Sequence, residues 1–281
     1  MPNNIPELKK LAAILRMEAL KIISYPGKGH VGGSMSLAET MAVLYGEIMN
    51  VSSESPKKLD RDKLVFSKGH CGPILYAALA QFGYIPMEYL TQMNRIGTKL
   101  PSHVNAVLTP GVDFSTGSLG QGLSVAAGMA YADQQDGLNN RYIYCIIGDG
   151  ECQEGQVWEA VMFAAHHNLR NLIVLVDNNK KQCSSYTDNI IKLEPIEEKF
   201  SAFNFDATRI DGHDVEAIRD IILEAQKQPN PSVIVLDTIK GKDSFAEKLY
   251  DNHHIPITKQ DLDQSIRFLQ EKIMAIETVK G

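Results

Sequence analysis

Tyr142-Ile143-Tyr144-Cys145-Ile146-Ile147-Gly148-Asp149-Gly150 is the stretch on which the fold turns, and Leu172-Ile173-Val174-Leu175-Val176-Asp177-Asn178-Asn179 answers it thirty residues on. Each is a short apolar run that stops at a polar group, which is how buried parallel strands read. Between Gly150 and Asn178 lie 27 residues, room for one crossover helix and a return strand. A right-handed βαβ connection then sets the two strand ends side by side. Asp149 can offer a carboxylate oxygen and Asn179 an amide oxygen to one hard cation, and Mg²⁺ takes such donors together with water and phosphate. The glycines let backbone approach a phosphate, and a helix starting near Gly155 turns its positive end toward it. Gly-Asp-Gly alone is also an ordinary strand-ending turn. The paired Asn-Asn at this spacing tips the reading toward a cation site.

Outward from this centre the same alternation continues, which predicts an α/β fold with a doubly wound, mostly parallel sheet flanked by helices. Further extended runs are Lys63–Phe66, Ala207–Ile210 and Val233–Thr238, beside Tyr142–Ile147 and Leu172–Asp177. Helical patterns occupy Ile5–Ser24, Gly120–Gln135, Gly155–Asn168, Asp214–Gln228 and Lys259–Val279. Ser36-x-x-Glu39 reads as a capping box opening a helix to about Met49. With no repeat and no linker, residues 1–281 are expected to form a single domain, with a helical lead-in and a closing helix. Ligands of such sheets bind outside the carboxyl ends of the strands.

Composition sets the outer limits. The chain has 281 residues, 28 basic against 34 acidic for a formal net charge of −6, with 44% hydrophobic and 22% charged residues. That is ordinary for a globular protein with a full core, and offers no broad basic footprint for nucleic acid or an anionic membrane. No apolar run approaches the roughly 20 residues of a membrane span. The start, MPNNIPELKK, lacks a secretory pattern. Cys71, Cys145, Cys152 and Cys183 are too scattered for a disulfide framework. A cytoplasmic protein with reduced thiols is the expectation.

Three more motifs narrow the function. Gly29-His30-Val31-Gly32-Gly33-Ser34 holds a histidine in a glycine-rich turn, and Asp60-Arg61-Asp62-Lys63-Leu64-Val65-Phe66-Ser67-Lys68-Gly69-His70 delivers a second at a strand end. Ser102-His103 then precedes Thr116-Gly117-Ser118-Leu119-Gly120-Gln121-Gly122. With Gly148–Gly150 and Asn178-Asn179 in this order, the set closely resembles the N-terminal half of transketolase, from about Met17 to Pro256. The resemblance implies a thiamine diphosphate-binding fold of the diphosphate-binding type. It implies transfer of a two-carbon ketol unit from a ketose, such as a pentose phosphate or a modified sugar, to an aldose.

The resemblance also assigns residues. Asp149, Asn179 and the backbone carbonyl of Lys181 would ligate Mg²⁺ (or Ca²⁺ or Mn²⁺). Gly150, Gly117, Ser118 and Leu119 would meet the cofactor, as would His70 and His253 through its diphosphate. His30, His103 and His253 would face the reacting sugar. In Asp251-Asn252-His253-His254-Ile255-Pro256 a one-residue slip would choose His254 instead. His166 and His167 read as structural, and His213 as a turn residue before a helix capped by Asp214.

A full transketolase is more than twice as long. The expectation is therefore one subunit of a split enzyme, its pyrimidine-binding and C-terminal domains carried by a partner subunit in an α₂β₂ heterotetramer. The α subunit of a 2-oxo acid dehydrogenase is the second reading, which the motifs at Gly29–Gly33 and Asp60–His70 oppose. A degenerate, non-catalytic subunit is the third. Departures from the family lie on the substrate side: Lys180-Lys181-Gln182-Cys183-Ser184-Ser185 lacks the usual Asp-Gly pair, and Ser102-His103-Val104-Asn105 replaces Gly-His-Pro-Glu. Asp243 also stands where the family usually has glycine. They leave room for a donor other than the ordinary pentose phosphates.

Overall fold

The computed structural model describes residues 4–138, 140–183 and 185–278. In chain order it comprises α1 (Ile5–Ser24), β1 (Lys28–Gly29), α2 (Val31–Met35), α3 (Ala38–Val43, widening into a π turn over Leu44–Ile48), β2 (Lys63–Phe66) and α4 (Gly72–Gln81). There follow α5 (Gln121–Gln135), β3 (Ile143–Gly148), α6 (Gly155–His166), β4 (Leu172–Asn178), α7 (Thr187–Ile190) and α8 (Ile196–Ala202). The last elements are β5 (Asp206–Asp211), α9 (Val215–Ala225), β6 (Ser232–Asp237), β7 (Ile255–Pro256) and α10 (Lys259–Thr278).

Five strands form one all-parallel sheet in the order β2-β3-β4-β6-β5. Alternate side chains of a strand point to opposite faces, and the two cores divide by that parity. Tyr144, Ile146, Ile173, Leu175, Ile234 and Leu236 pack under α1, α3, α4 and α9. Ile143, Cys145, Ile147, Val174, Val176 and Val235 pack under α5, α6 and α8. The chain steps in one direction from β2 to β5 and back to β6. A right-handed crossover must change face when the direction reverses, and α9 accordingly lies with the first core.

The predicted strands and long helices are present within a residue or two at most ends, and Asp214 caps α9 through the Glu216 and Ala217 N–H groups. Val279, the predicted end of the last helix, lies outside the described residues. The capping box at Ser36 is not formed. Leu37 is the N-cap of α3 and makes no side-chain cap, while the Ser36 hydroxyl donates to Asp177 Oδ2 at 2.7 Å and to the Gly33 carbonyl at 3.0 Å. Glu39 is drawn away to Arg16, 2.6 Å distant. Buried partners outbid a local cap, whose worth is about 1 kcal/mol.

Arg16 is fully buried and bonds the Met35 carbonyl, Glu39 and Asp243. Lys272 of α10 reaches the same Asp243 carboxylate at 2.6 Å, and Lys10 of α1 pairs with Glu277. The first and last helices are thus joined by charge as well as by packing.

Candidate functional site

The site is assembled from four neighbouring strand ends. Register pairs Gly148 with Asp177, and Asn178 with Asp237, so the segments after β2, β3, β4 and β6 leave the sheet nearly level. They deliver Lys68 and His70, Asp149 and Gly150, Asn179 and Lys181, and Lys240 into one cavity of about 250 Å³. His30, His103 and His253 close it from the loops before α2, before α5 and before β7.

Asp149 is held on every side. Its Oδ1 accepts from Gly150 N–H at 2.8 Å, and its Oδ2 from Lys180 N–H at 2.7 Å and the Thr187 hydroxyl at 2.9 Å. Lys180 takes a left-handed backbone (φ 63°) to make that turn. Burial, and then the neighbouring Asp177 carboxylate, push the Asp149 carboxyl up to about 6, so a cation there would relieve the carboxylate. The Asn179 amide donates to Asp177 Oδ2 at 2.9 Å, which turns its oxygen the other way, where it accepts from Lys181 N–H at 3.2 Å. The Lys181 carbonyl accepts from the Lys240 ammonium at 3.1 Å.

Sequence reading missed three buried charges. Lys68 lies within the quoted Ser67-Lys68-Gly69-His70 motif, yet a lysine is rarely buried unless paired. Here it forms an ion pair with Asp177; burial opposes its charge, and that carboxylate more than restores it. Lys240 donates to the Lys181 and Gln182 carbonyls and lies 3.2 Å from His253 Nδ1. Burial and the nearby Lys68 push it down to about 8. Glu151 accepts from the Ser67 hydroxyl, Gly120 N–H and Gly148 N–H, tying β2, β3 and the start of α5 together beneath the cavity. The only signal for Lys68 and Lys240 was a lysine set among glycines just past a buried strand.

The predicted histidines meet. His30 lies at the centre, its ring centroid 5.2 Å from His70, 5.6 Å from His103, 5.1 Å from His253 and 4.6 Å from His254. Burial, then the neighbouring His253 and His254, lower His30 to about 3, and burial with Lys240 lowers His253 to about 4. His70 is depressed by burial and Lys68, and His103, at the rim, by partial burial alone. All four are neutral at pH 7. His253 lines the cavity; the exposed His254 packs against His30 from outside.

Gly117 and Leu119 line the same cavity, whereas Ser118 faces an adjoining one of about 510 Å³, shared with His103 and Gly117. His166 is exposed and His167 packs at a tilt against Tyr131 and Phe163, both away from this site. Arg61 and Asp62 serve the start of β2, bonding Asp113 and the Asn50 and Tyr142 N–H groups.

The donor set suits a divalent cation with a diphosphate. Carboxylate, amide and carbonyl oxygens are hard-cation ligands, and two buried ammonium groups face the same space. His30 Nδ1 is buried with no hydrogen-bond partner among the described residues. At Gly150 a Cβ would come within 2.8 Å of Gln182 Cγ, so any larger residue there would have to displace that side chain, which lines the same cavity.

The family described as "Transketolase, thiamine diphosphate binding domain" matches residues 8–272. The chain belongs to the transketolase family. Among its relatives, the 6-deoxy-6-sulfo-D-fructose transketolase subunit of Clostridium sp. (strain MSTE9) is 46% identical over 268 residues, covering 95% of this chain and 97% of the relative. An apulose-4-phosphate transketolase subunit from Actinobacillus succinogenes is 36% identical, covering 88% and 89%. The transketolase structure of Campylobacter jejuni superposes with a TM-score of 0.88 at 30% identity, over 96% of this chain but 43% of that one. That of Pichia stipitis in complex with sedoheptulose 7-phosphate gives 0.87 at 26% identity, over 98% and 45%. The chain thus spans a little under half of the transketolases whose structures it matches. Among the described residues no helix is long and apolar enough to cross a membrane.

Proposed function

We propose that this chain is the diphosphate-binding subunit of a split transketolase, moving a two-carbon ketol unit from a modified ketose to an aldose in company with a second polypeptide. The observation that carries the reading is the meeting of Asp149, Asn179, two buried lysines and four neutral histidines at the carboxyl ends of one parallel sheet. Curated relatives of matching length, both named as subunits and both named for unusual sugars, support the split and the substrate class.

Asp149, Asn179 and the Lys181 carbonyl would hold Mg²⁺, with Ca²⁺ or Mn²⁺ as substitutes. His70, Lys240 and His253 would hold the diphosphate, and the backbone at Gly117, Ser118, Leu119 and Gly150 would border it. Thiamine diphosphate, when bound, supplies the electron sink that allows a carbon–carbon bond beside a carbonyl to break. The chain's own part is to bind, orient and hold protons. His30 and His103, which both line the cavity, would hydrogen-bond the sugar hydroxyls. Being neutral, they add no charge to a cavity that already holds two ammonium groups. His103, at the rim and perturbed only by partial burial, is the better placed to pass a proton to and from solvent. The missing cover over the cofactor, and the α₂β₂ assembly, belong to the partner in this reading, and a cytoplasmic location goes with it.

Ketol transfer by the chain alone and with a co-encoded C-terminal subunit, with thiamine diphosphate and Mg²⁺, tests this. The donor panel includes xylulose 5-phosphate, apulose 4-phosphate and 6-deoxy-6-sulfo-D-fructose. Activity only in the mixture supports the reading; activity of this chain by itself overturns the split.

A further inference from the structure

Sequence places His213 in a turn, and the structure fixes its ring at both nitrogens. Nε2 accepts the Ile239 N–H at 2.9 Å, and Nδ1 lies 3.2 Å from Glu39 Oε2. A nitrogen that accepts from a backbone amide carries no proton, so the proton sits on Nδ1 and is donated to Glu39. Glu39 is itself locked by the buried Arg16. Ile239 is the residue before Lys240, whose ammonium enters the cavity.

The anchoring is one of several along the same short segment. Thr238 is bonded through its hydroxyl to Asp177, the Lys240 carbonyl accepts from Asn252 at 2.9 Å, and Gly241 N–H donates to the Gly32 carbonyl at 2.9 Å. Residues 238, 240 and 241 are thus held by buried partners. Ile239 is held from the outer side, by His213, and its own side chain is substantially exposed and cannot hold it. The Ile239 carbonyl accepts from Lys242 N–H at 3.1 Å; without the His213 bond the Ile239 N–H, one residue before Lys240, loses the partner that fixes its direction.

We propose that His213 is a positioning residue: by accepting the Ile239 N–H it sets the direction from which Lys240 presents its ammonium to an anionic ligand in the cavity. The inference rests on the diphosphate reading of that cavity, and concerns the chain's preparation for it. The Nε2 bond is the functional one and the Nδ1 contact to Glu39 keeps the ring upright.

Two substitutions separate those contacts. His213→Gln extends an amide to the place of Nε2 and can accept from Ile239; His213→Asn reaches only the place of Nδ1. Calorimetric titration of the full-length chain with inorganic pyrophosphate and Mg²⁺ is the readout, beside hydrogen exchange at the Ile239 amide. The loss of one hydrogen bond predicts a roughly fivefold to tenfold weaker pyrophosphate affinity for His213→Asn, with recovery in His213→Gln. Ile239 should exchange faster only in the Asn variant. In a Lys240→Ala background, His213→Asn should have no further effect on affinity. Equal affinity of wild type and His213→Asn overturns the proposal, as does an equal loss in both variants or an undiminished effect without Lys240. Should His213→Asn fail to fold, the comparison of His213→Gln with wild type still decides, since a Gln variant that loses affinity refutes the role. Absence of pyrophosphate binding by wild type would instead overturn the diphosphate reading, and this proposal with it.

Discussion

Removing the Asp177 carboxylate is the sharpest test of how the site is held. Asp177 is fully buried, and its two oxygens accept from Lys68, Ser36, Asn179 and Thr238. Burial alone would raise its pKa, yet Lys68 brings it below the usual carboxylate range, so the carboxylate is charged and paired at neutral pH. In Asp177→Ala the Lys68 ammonium stays buried without its counter-charge. Breaking a buried pair from one side costs about 3–5 kcal/mol. Against a total stability of roughly 5–15 kcal/mol, that is a large share. With a urea slope of about 2–3 kcal/mol/M, the midpoint should fall by roughly 1–2.5 M. Removing the stranded charge as well, in Lys68→Met/Asp177→Ala, should recover a good part of the loss. Urea unfolding followed by circular dichroism measures both variants. A midpoint for Asp177→Ala within about 0.3 M of wild type would refute the reasoning, and so would a double variant less stable than the single one.

Other outcomes follow from the same geometry. Asp149→Ala should abolish Mg²⁺-dependent thiamine diphosphate binding, because it removes the single anionic ligand of the proposed set; calorimetry checks it, and unchanged affinity would sink the assignment. His103→Ala should keep cofactor binding while lowering ketol transfer by the mixed enzyme by roughly 10²-fold, so equal activity with the native donor would disprove its substrate role. Glu39 is held down to about 2 despite burial, by Arg16 and His213. Its folded pKa lies below its unfolded value, so its contribution is present above about pH 4.5 and is lost as pH falls toward 2; the total is about 3 kcal/mol. The difference in unfolding midpoint between wild type and Glu39→Gln should therefore shrink from neutral pH to the acid end, and a constant difference would contradict it. Finally, His30 should remain neutral in the free chain at pH 5 and titrate only near 3, which nuclear magnetic resonance of its ring can follow; protonation near the ordinary histidine value would show the cluster to be solvated.

What the sequence disclosed, it disclosed where the signal was local. Lys63–Phe66 and Ile5–Ser24 are found with the predicted bounds, since strand and helix periodicities need only their own residues. The clustered histidines could be named because each stands in a short recognisable motif, glycine-rich at His30 and His70 and lacking glycine at His103 and His253. Ser36 departs from its capping pattern because its hydroxyl bonds a residue 141 positions away, and a local pattern is blind to that. Lys68, Lys240 and Glu151 went unnoticed for the same reason: a buried charge is recognisable only once its partners are known. His213 is the intermediate case, its place in the turn evident and its hold on Ile239 not.

The union of α1 with α10 bears on how the chain is made. Lys10 and Glu277 are 267 residues apart, and at roughly 5–20 residues per second a ribosome needs tens of seconds to travel between them. Throughout that interval the first helix lacks its last neighbour, and until residue 243 is made Arg16 has Glu39 but not Asp243 to balance it. The nascent chain must therefore carry an incompletely covered helix until α10 has been made. A chaperone that shields this amphipathic surface would raise the yield of native protein, whereas one acting on the finished sheet would not.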